Sequence, residues 1–166
     1  MVTCRGSGGH ASSPWLYSSA CEKLVEAWMK IRQLLGGVSA GEFSASLVKM
    51  SCGEGSNTIP RRGEAVINVR VPIGRSTADV RYALTSIGLD GECNIGIEDC
   101  TEPVRVPVNS LSVRALNRAL IRLGFEPRIA IKLGTSDMNL LYGRVTADIV
   151  EWGQDALSFP TPTARR

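Results

Sequence analysis

Histidine, aromatic rings and closely spaced cysteines are what this chain has least of. Of its 166 residues only one, His10, is a histidine and nine are aromatic. So few rings leave little for a sheet that stacks RNA bases on exposed aromatics, and the run Glu64 to Val71 has none. Charge of neither sign is blocked: 19 basic and 16 acidic residues are interspersed, and a net charge of +3 leaves no electrostatic footprint for nucleic acid or a membrane surface. No apolar run approaches the roughly 18 residues that span a bilayer, and Met1 leads into a strand-like segment rather than a signal peptide. The five cysteines, Cys4, Cys21, Cys52, Cys93 and Cys100, are odd in number, widely spaced and free of any Cys-x-x-Cys pair. That pattern argues against a zinc knuckle or a secreted disulfide framework and for a reducing cytoplasm.

What is present suffices for a core. With 43% hydrophobic and 21% charged residues, a chain of this length makes one compact domain, or one domain and an appendage. Its organising stretch is GSGGHASSP, residues 6 to 14, which sets His10 between a predicted first strand, Val2 to Arg5, and a long first helix. Gly6, Gly8 and Gly9 take Cβ atoms away from the approach to the imidazole, so backbone or ligand can come close. Ser12 or Ser13 can cap the helix and Pro14 suits its first turn.

Apolar residues at Leu16, Ala20, Leu24, Ala27, Ile31 and Leu34 step by three or four, predicting an amphipathic helix of about six turns from Pro14 to Leu35, stopped by Gly36 and Gly37. Phe43 to Met50 reads as a second strand with imperfect alternation, and Gly53 to Arg62 as a loop. Glu64 to Val71 alternates cleanly, with Ala65, Ile67, Val69 and Val71 on one face and Asn68 and Arg70 on the other. Ser76 caps a helix with Val80, Ala83, Leu84 and Ile87 inward, ended by Gly88; after a turn at Asp90 and Gly91, Cys93, Ile95 and Ile97 form one face of a fourth strand. The order β-α-β-β-α-β over residues 2 to 100 predicts an α+β, ferredoxin-like domain: four antiparallel strands with two helices on one face.

The pattern changes after the proline-containing connector Glu102 to Val108. A helix from Ser110 with Val113, Leu116, Leu120 and Leu123 inward, a strand Ile129 to Leu133, the turn GTSD, a short helix and a strand Ala147 to Trp152 follow. They read as an α/β fragment too small to close its own core, followed by an irregular tail. Arg114, Arg118 and Arg122 line one helix face, as an anion-binding stripe or a solvated surface.

Three ordered motifs, GSGGHASSP, then GEGSNTIPRRGEAVINVRVP, then GTSDMN, resemble the zinc-dependent acetylornithine deacetylase and succinyl-diaminopimelate desuccinylase family, which includes aminoacylases and exopeptidases. KLGTSDMNLL and HASSPW are most similar to its N-acetyl-lysine deacetylase branch, the hydrolases releasing lysine or ornithine from a LysW-type amino-group carrier protein. The resemblance implies a lid and dimerisation domain over residues 1–105, and over 106–166 the chain returning to an α/β metallohydrolase domain. It implies a homodimer with composite active sites, and a substrate that is an N-acyl amino acid or the carrier protein, in lysine and arginine biosynthesis.

His10 then matches the lid histidine that hydrogen-bonds the scissile carbonyl in the partner's site, an oxyanion-hole contribution. Asn57 and Arg70 match residues that hold the substrate carboxylate, and Gly134, Thr135 and Ser136 a loop lining the same end. The chain departs from the family in its metal ligands. Zinc or cobalt is expected in the full-length enzyme, yet with no histidine beyond His10 none is expected to be bound by this chain, and Pro160 stands where a last histidine belongs, with Ala164 where an acidic residue follows. The isolated chain is therefore expected to be inactive. The competing expectation is a ferredoxin-like amino-acid-binding or dimerisation module without catalysis.

Overall fold

The structure, a computed structural model, describes residues 1–153 apart from 40, 90, 131 and 133. The expectations for the tail, for Pro160 and Ala164 and for a turn at Asp90 lie outside the described residues. The chain forms two compact units, Met1–Cys100 and Thr101–Arg166.

In the first unit the elements run β1 (Val2–Arg5), β2 (Gly9–His10), a 3-10 turn (Pro14–Leu16), α1 (Ala20–Leu35), β3 (Ser44–Cys52), β4 (Thr58–Ile59), β5 (Arg62–Arg70), α2 (Thr77–Thr85) and β6 (Cys93–Ile95). Four of the strands make an antiparallel sheet in the order β3-β5-β1-β6, and β2 pairs with β4 in a separate ribbon. This is the α+β ferredoxin-like arrangement that the alternating pattern predicts. Its core is built from the buried face of α1, Ala20, Leu24, Ala27, Ile31 and Leu35, against Val2, Cys4, Ala65 and Cys93 of the sheet and Val80 of α2. Burying a side chain such as Leu24 or Ile31 contributes about 1.5–3 kcal/mol each.

Local chemistry explains most boundaries. Ser76 accepts from Asp79 N–H at 3.2 Å while Asp79 accepts from Ser76 N–H at 2.8 Å, a reciprocal cap that starts α2. The imperfect alternation of β3 is a register shift between Leu47 and Lys49, which turns Val48 to solvent.

Other boundaries depart from the sequence pattern. The first helix begins at Ala20 rather than Pro14, and Ser19, not Ser12 or Ser13, accepts from Glu22 N–H. Pro14–Leu16 makes one tight turn and Tyr17 is extended, at φ −133° and ψ 148°. The cause is tertiary: the backbone of Ser18 is engaged by Ser7 and Gly8, which a continuous helix forbids. The Leu16 to Ala20 step is helical in spacing only. The loop Gly53 to Arg62 contains β4, two residues too short to show a period, and the last strand stops at Ile95.

The cysteines are the main correction. Cys4 and Cys93 are bonded across β1 and β6, with Cα atoms 4.1 Å apart, and Cys21 at the start of α1 is bonded to Cys52 at the end of β3, with Cα atoms 5.7 Å apart. Cys100 is free and exposed. Sequence spacing says nothing about cross-strand register, and it is register that makes Cys4 and Cys93 neighbours. A wholly reduced cysteine set is therefore not what the fold contains.

The second unit holds α3 (Leu111–Arg122) and α4 (Asp137–Leu141). Ser110 caps α3, and Asp148 accepts from Ser112 N–H and from its hydroxyl at 2.5 Å. Val113 and Leu120 are buried, but Leu123 is exposed, because it ends the helix before Gly124 turns at φ +84°. Arg114, Arg118 and Arg122 are exposed. Neither expected strand is present among the described residues of 129–133 and 147–152. A strand exists only where a neighbouring strand takes its backbone groups, and the short apolar runs alone do not provide one.

Candidate functional site

The glycines of the first motif are packed by the chain itself. A Cβ on Gly6 would strike the Ser18 carbonyl, one on Gly8 would strike the Arg61 stem, and one on Gly9 would lie 2.5 Å from the Tyr17 ring. Gly8 also sits at φ +62°, where a side chain is strained. The turn is held by Gly6 N–H to Arg61 O at 2.9 Å and by two exchanged bonds between Ser7 and Ser18, backbone N–H to hydroxyl, at 2.9 and 2.8 Å. The motif is thus a clamped segment that presents the next residue, His10.

His10 is exposed and lies on β2, opposite Thr58 of β4. Ser12 N–H donates to its Nδ1 at 3.2 Å, and the Ser12 hydroxyl lies 2.8 Å from the same nitrogen. A backbone N–H only donates, so Nδ1 accepts, and in the neutral ring the proton sits on Nε2. The imidazole therefore offers an N–H donor, oriented by Ser12. Asn57 is exposed and directly precedes β4; its carbonyl accepts from Ala11 N–H at 2.9 Å, which joins it to the residue after His10. A shallow groove of about 310 Å³ runs beside this ribbon, lined by Ala11, Tyr17, Glu22, Thr58 and Ile59.

Of the candidate residues, the first unit brings together His10 and Asn57. Arg70 is exposed at the opposite end of β5, eight residues beyond Arg62 and opposite Ser44. At about 3.3 Å per residue it stands roughly 26 Å along the strand from Arg62, with His10 further on past Arg62. One first unit thus presents two separate polar ends. Gly134, Thr135 and Ser136 lie in the second unit, immediately before α4. Ser136 N–H donates to Asn139 Oδ1 at 3.0 Å, so this stretch caps a helix. The Lys132 ammonium, 2.6 Å from Glu151, with the Ser136 hydroxyl, holds the Glu151 carboxyl below the usual range. Ser12 as the ring's partner, and Ser7, Ser18, Tyr17 and Arg61 as the clamp, were not legible as site residues; only proximity to His10 in sequence marks Ser12 and Ser7.

Among the described residues no three His, Cys, Asp or Glu side chains gather where they could hold a metal ion, so those residues do not fit the metal that the resemblance implies. Nor is any helix among them long and apolar enough to cross a membrane.

A four-stranded antiparallel sheet with two helices, carrying a clamped histidine on a side ribbon, places the chain in a class that comparison with known proteins identifies. Residues 1–87 match the peptidase dimerisation domain, M20_dimer, and the chain belongs to that family. Among whole proteins it is 33% identical over 153 residues to a LysW-lysine/LysW-ornithine hydrolase of Sulfurisphaera tokodaii, and 29% identical over 154 residues to the one from Saccharolobus solfataricus. A Pyrobaculum aerophilum protein whose name puts forward the same activity is 37% identical over 153 residues. Each alignment covers 92% of this chain but only 42% of the relative. The chain thus spans less than half the length of the relatives it matches. Solved structures that share the fold include a tripeptidase from Staphylococcus aureus, at TM-score 0.72 and 20% identity over 87% of this chain and 40% of that one. Another is an M20 family metallo-carboxypeptidase from Sulfolobus solfataricus, at TM-score 0.63 and 17% identity over 86% of this chain and 48% of that one.

Proposed function

We propose that this chain is the lid and dimerisation part, residues 1–105, with a following catalytic-domain segment, residues 106–166, of a metal-dependent hydrolase that removes an N-acyl group from lysine or ornithine. The observation that carries the proposal is the ribbon that brings His10 and Asn57 together with Nε2–H free to donate. In this role the imidazole donates to the carbonyl oxygen of the scissile amide and stabilises the negative charge that grows there, while Asn57 and Arg70 hold substrate carboxylate. Gly134, Thr135 and Ser136 line the amino-acid end with N–H and hydroxyl donors. Because His10 and Arg70 stand at opposite ends of the first unit, they serve different active sites of a homodimer. Zinc or cobalt belongs to residues other than those described. The protein works in the cytoplasm, where its two disulfides are an exception to the reduced thiols usual there.

The test is a chimera in which this chain replaces the 42% of the Sulfurisphaera relative that it matches. Release of lysine from its acylated form is expected. His10→Ala is expected to lower kcat about a hundredfold with KM little changed, as loss of an oxyanion donor does. An unchanged kcat would remove His10 from the reaction.

A further inference from the structure

The helices α1 and α2 begin alike and differ in what one carboxylate does. Each is capped by a serine whose hydroxyl accepts the N–H of the third helical residue: Ser76 from Asp79 at 3.2 Å, Ser19 from Glu22 at 3.4 Å. In α2 the bond is returned, because the Asp79 carboxylate accepts the Ser76 N–H at 2.8 Å. In α1 it is not. Among the described residues the Glu22 carboxylate takes no hydrogen bond and no ion pair, and its neighbour Lys23 is paired with Glu92.

Glu22 instead lines the groove of about 310 Å³ beside the ribbon, and among the described residues lining that groove it alone is charged. The groove starts at the histidine. Ala11 follows His10, Thr58 faces it across the ribbon, and the Tyr17 ring lies against Gly9, the residue before it; all three line the groove. Glu22 is also fixed relative to the ribbon, since Ala20 N–H donates to the Pro60 carbonyl at 3.0 Å and the Cys21–Cys52 bond ties the first turn of α1 to the strand before β4. The walls decide the ligand's chemistry. Ile59, Pro60 and the Tyr17 ring suit an aliphatic stem, and one unpaired carboxylate beside an aromatic ring suits a single positive charge at its end. A calcium or magnesium ion needs more oxygen ligands than one carboxylate provides.

Resting on the assignment of His10 to the scissile carbonyl, we propose that Glu22 determines specificity for the substrate's side chain by holding the ammonium that ends a lysine or ornithine arm. The methylenes of that arm lie along Ile59 and Tyr17. His10 and Glu22 belong to one first unit, so both serve the same active site. The test compares acylated lysine with acylated norleucine, which lacks the ammonium, in the Sulfurisphaera chimera. Glu22→Gln is expected to lower kcat/KM for acylated lysine about tenfold, as loss of a bond to a charged group does, and to leave acylated norleucine little changed. Asp79→Asn, at the matching position of α2, should leave the preference for lysine intact and lower the urea midpoint more than Glu22→Gln does. In the 166-residue chain alone, the Ala11 and Thr58 amide shifts should move with millimolar N-acetyl-lysine and not with N-acetyl-norleucine, and Glu22→Gln should abolish the difference. Equal losses on the two substrates, no loss on acylated lysine, or shifts that are absent or reproduced by N-acetyl-norleucine would each overturn the proposal. His10→Ala should lower turnover of both substrates alike and keep the lysine-specific shifts, so the histidine and the glutamate fail separately.

Discussion

The two units of this chain treat similar apolar sequence in opposite ways. In Met1–Cys100, alternating runs become strands because each finds a neighbour: β5 lies between β3 and β1, and β1 between β5 and β6. In Thr101–Arg166 the runs around Ile129 and Ile149 form no strand among the described residues, and Leu111, Leu123 and Val145 are each more than 70% exposed. Among the described residues the first unit has nine buried residues in one continuous cluster and two covalent crosslinks, whereas the second buries Val113 and Leu120 along one helix. Strand character therefore depends on a partner, while helix character, closed within its own segment, does not. α3 forms where the neighbouring strands do not.

Removing the crosslink that closes the longer loop should sharpen the contrast most. Cys4→Ala with Cys93→Ala opens a bridge between residues 89 apart and is expected to cost about 4 kcal/mol in urea unfolding of the first unit. The α3 helix, followed by NMR, should be unmoved. Truncating core leucines gives a smaller effect, unequal between units: Leu24→Ala, at 1% exposure, should cost about 3 kcal/mol, and Leu120→Ala about 2 kcal/mol, at the foot of the range for such changes. Equal costs would show that the second unit packs as densely as the first. Acid gives the smallest effect. The Ser112 hydroxyl, then that of Ser110, hold the Asp148 carboxyl below its ordinary 3.8. A lowered carboxyl stabilises the fold above its unfolded value, and that contribution is lost as pH falls through the folded value. Below about pH 4 the start of α3 should therefore loosen, and Asp148→Asn should remove that dependence, read from the Ser112 and Val113 amide shifts. Asp79, lowered by backbone and side-chain bonds from Ser76, behaves alike at the start of α2.

Legibility followed the range of the interaction. The cap at Ser76, the inward faces of α1 and β5 and the β-α-β-β-α-β order were readable because each depends on residues within a few positions. The start of α1 was not, since Ser18 is claimed by Ser7, eleven residues away. Nor were the disulfides, whose partners lie 89 and 31 residues apart. In the candidate site, His10 stood out by being unique and Asn57 and Arg70 by family resemblance, but neither pattern says that Asn57 adjoins His10 and Arg70 does not.

By itself, then, the amino-acid order determined the helical faces, the strand periods and the presence of one histidine in a glycine-rich turn, all of them short-range steric and solvation effects. Tertiary structure alone decided that four cysteines pair, that two arginines face each other, and that His10 and Arg70 occupy opposite ends of the first unit. Each of these depends on strand register or on contact between distant segments, and the pairing of one strand with another is not encoded in the period of either.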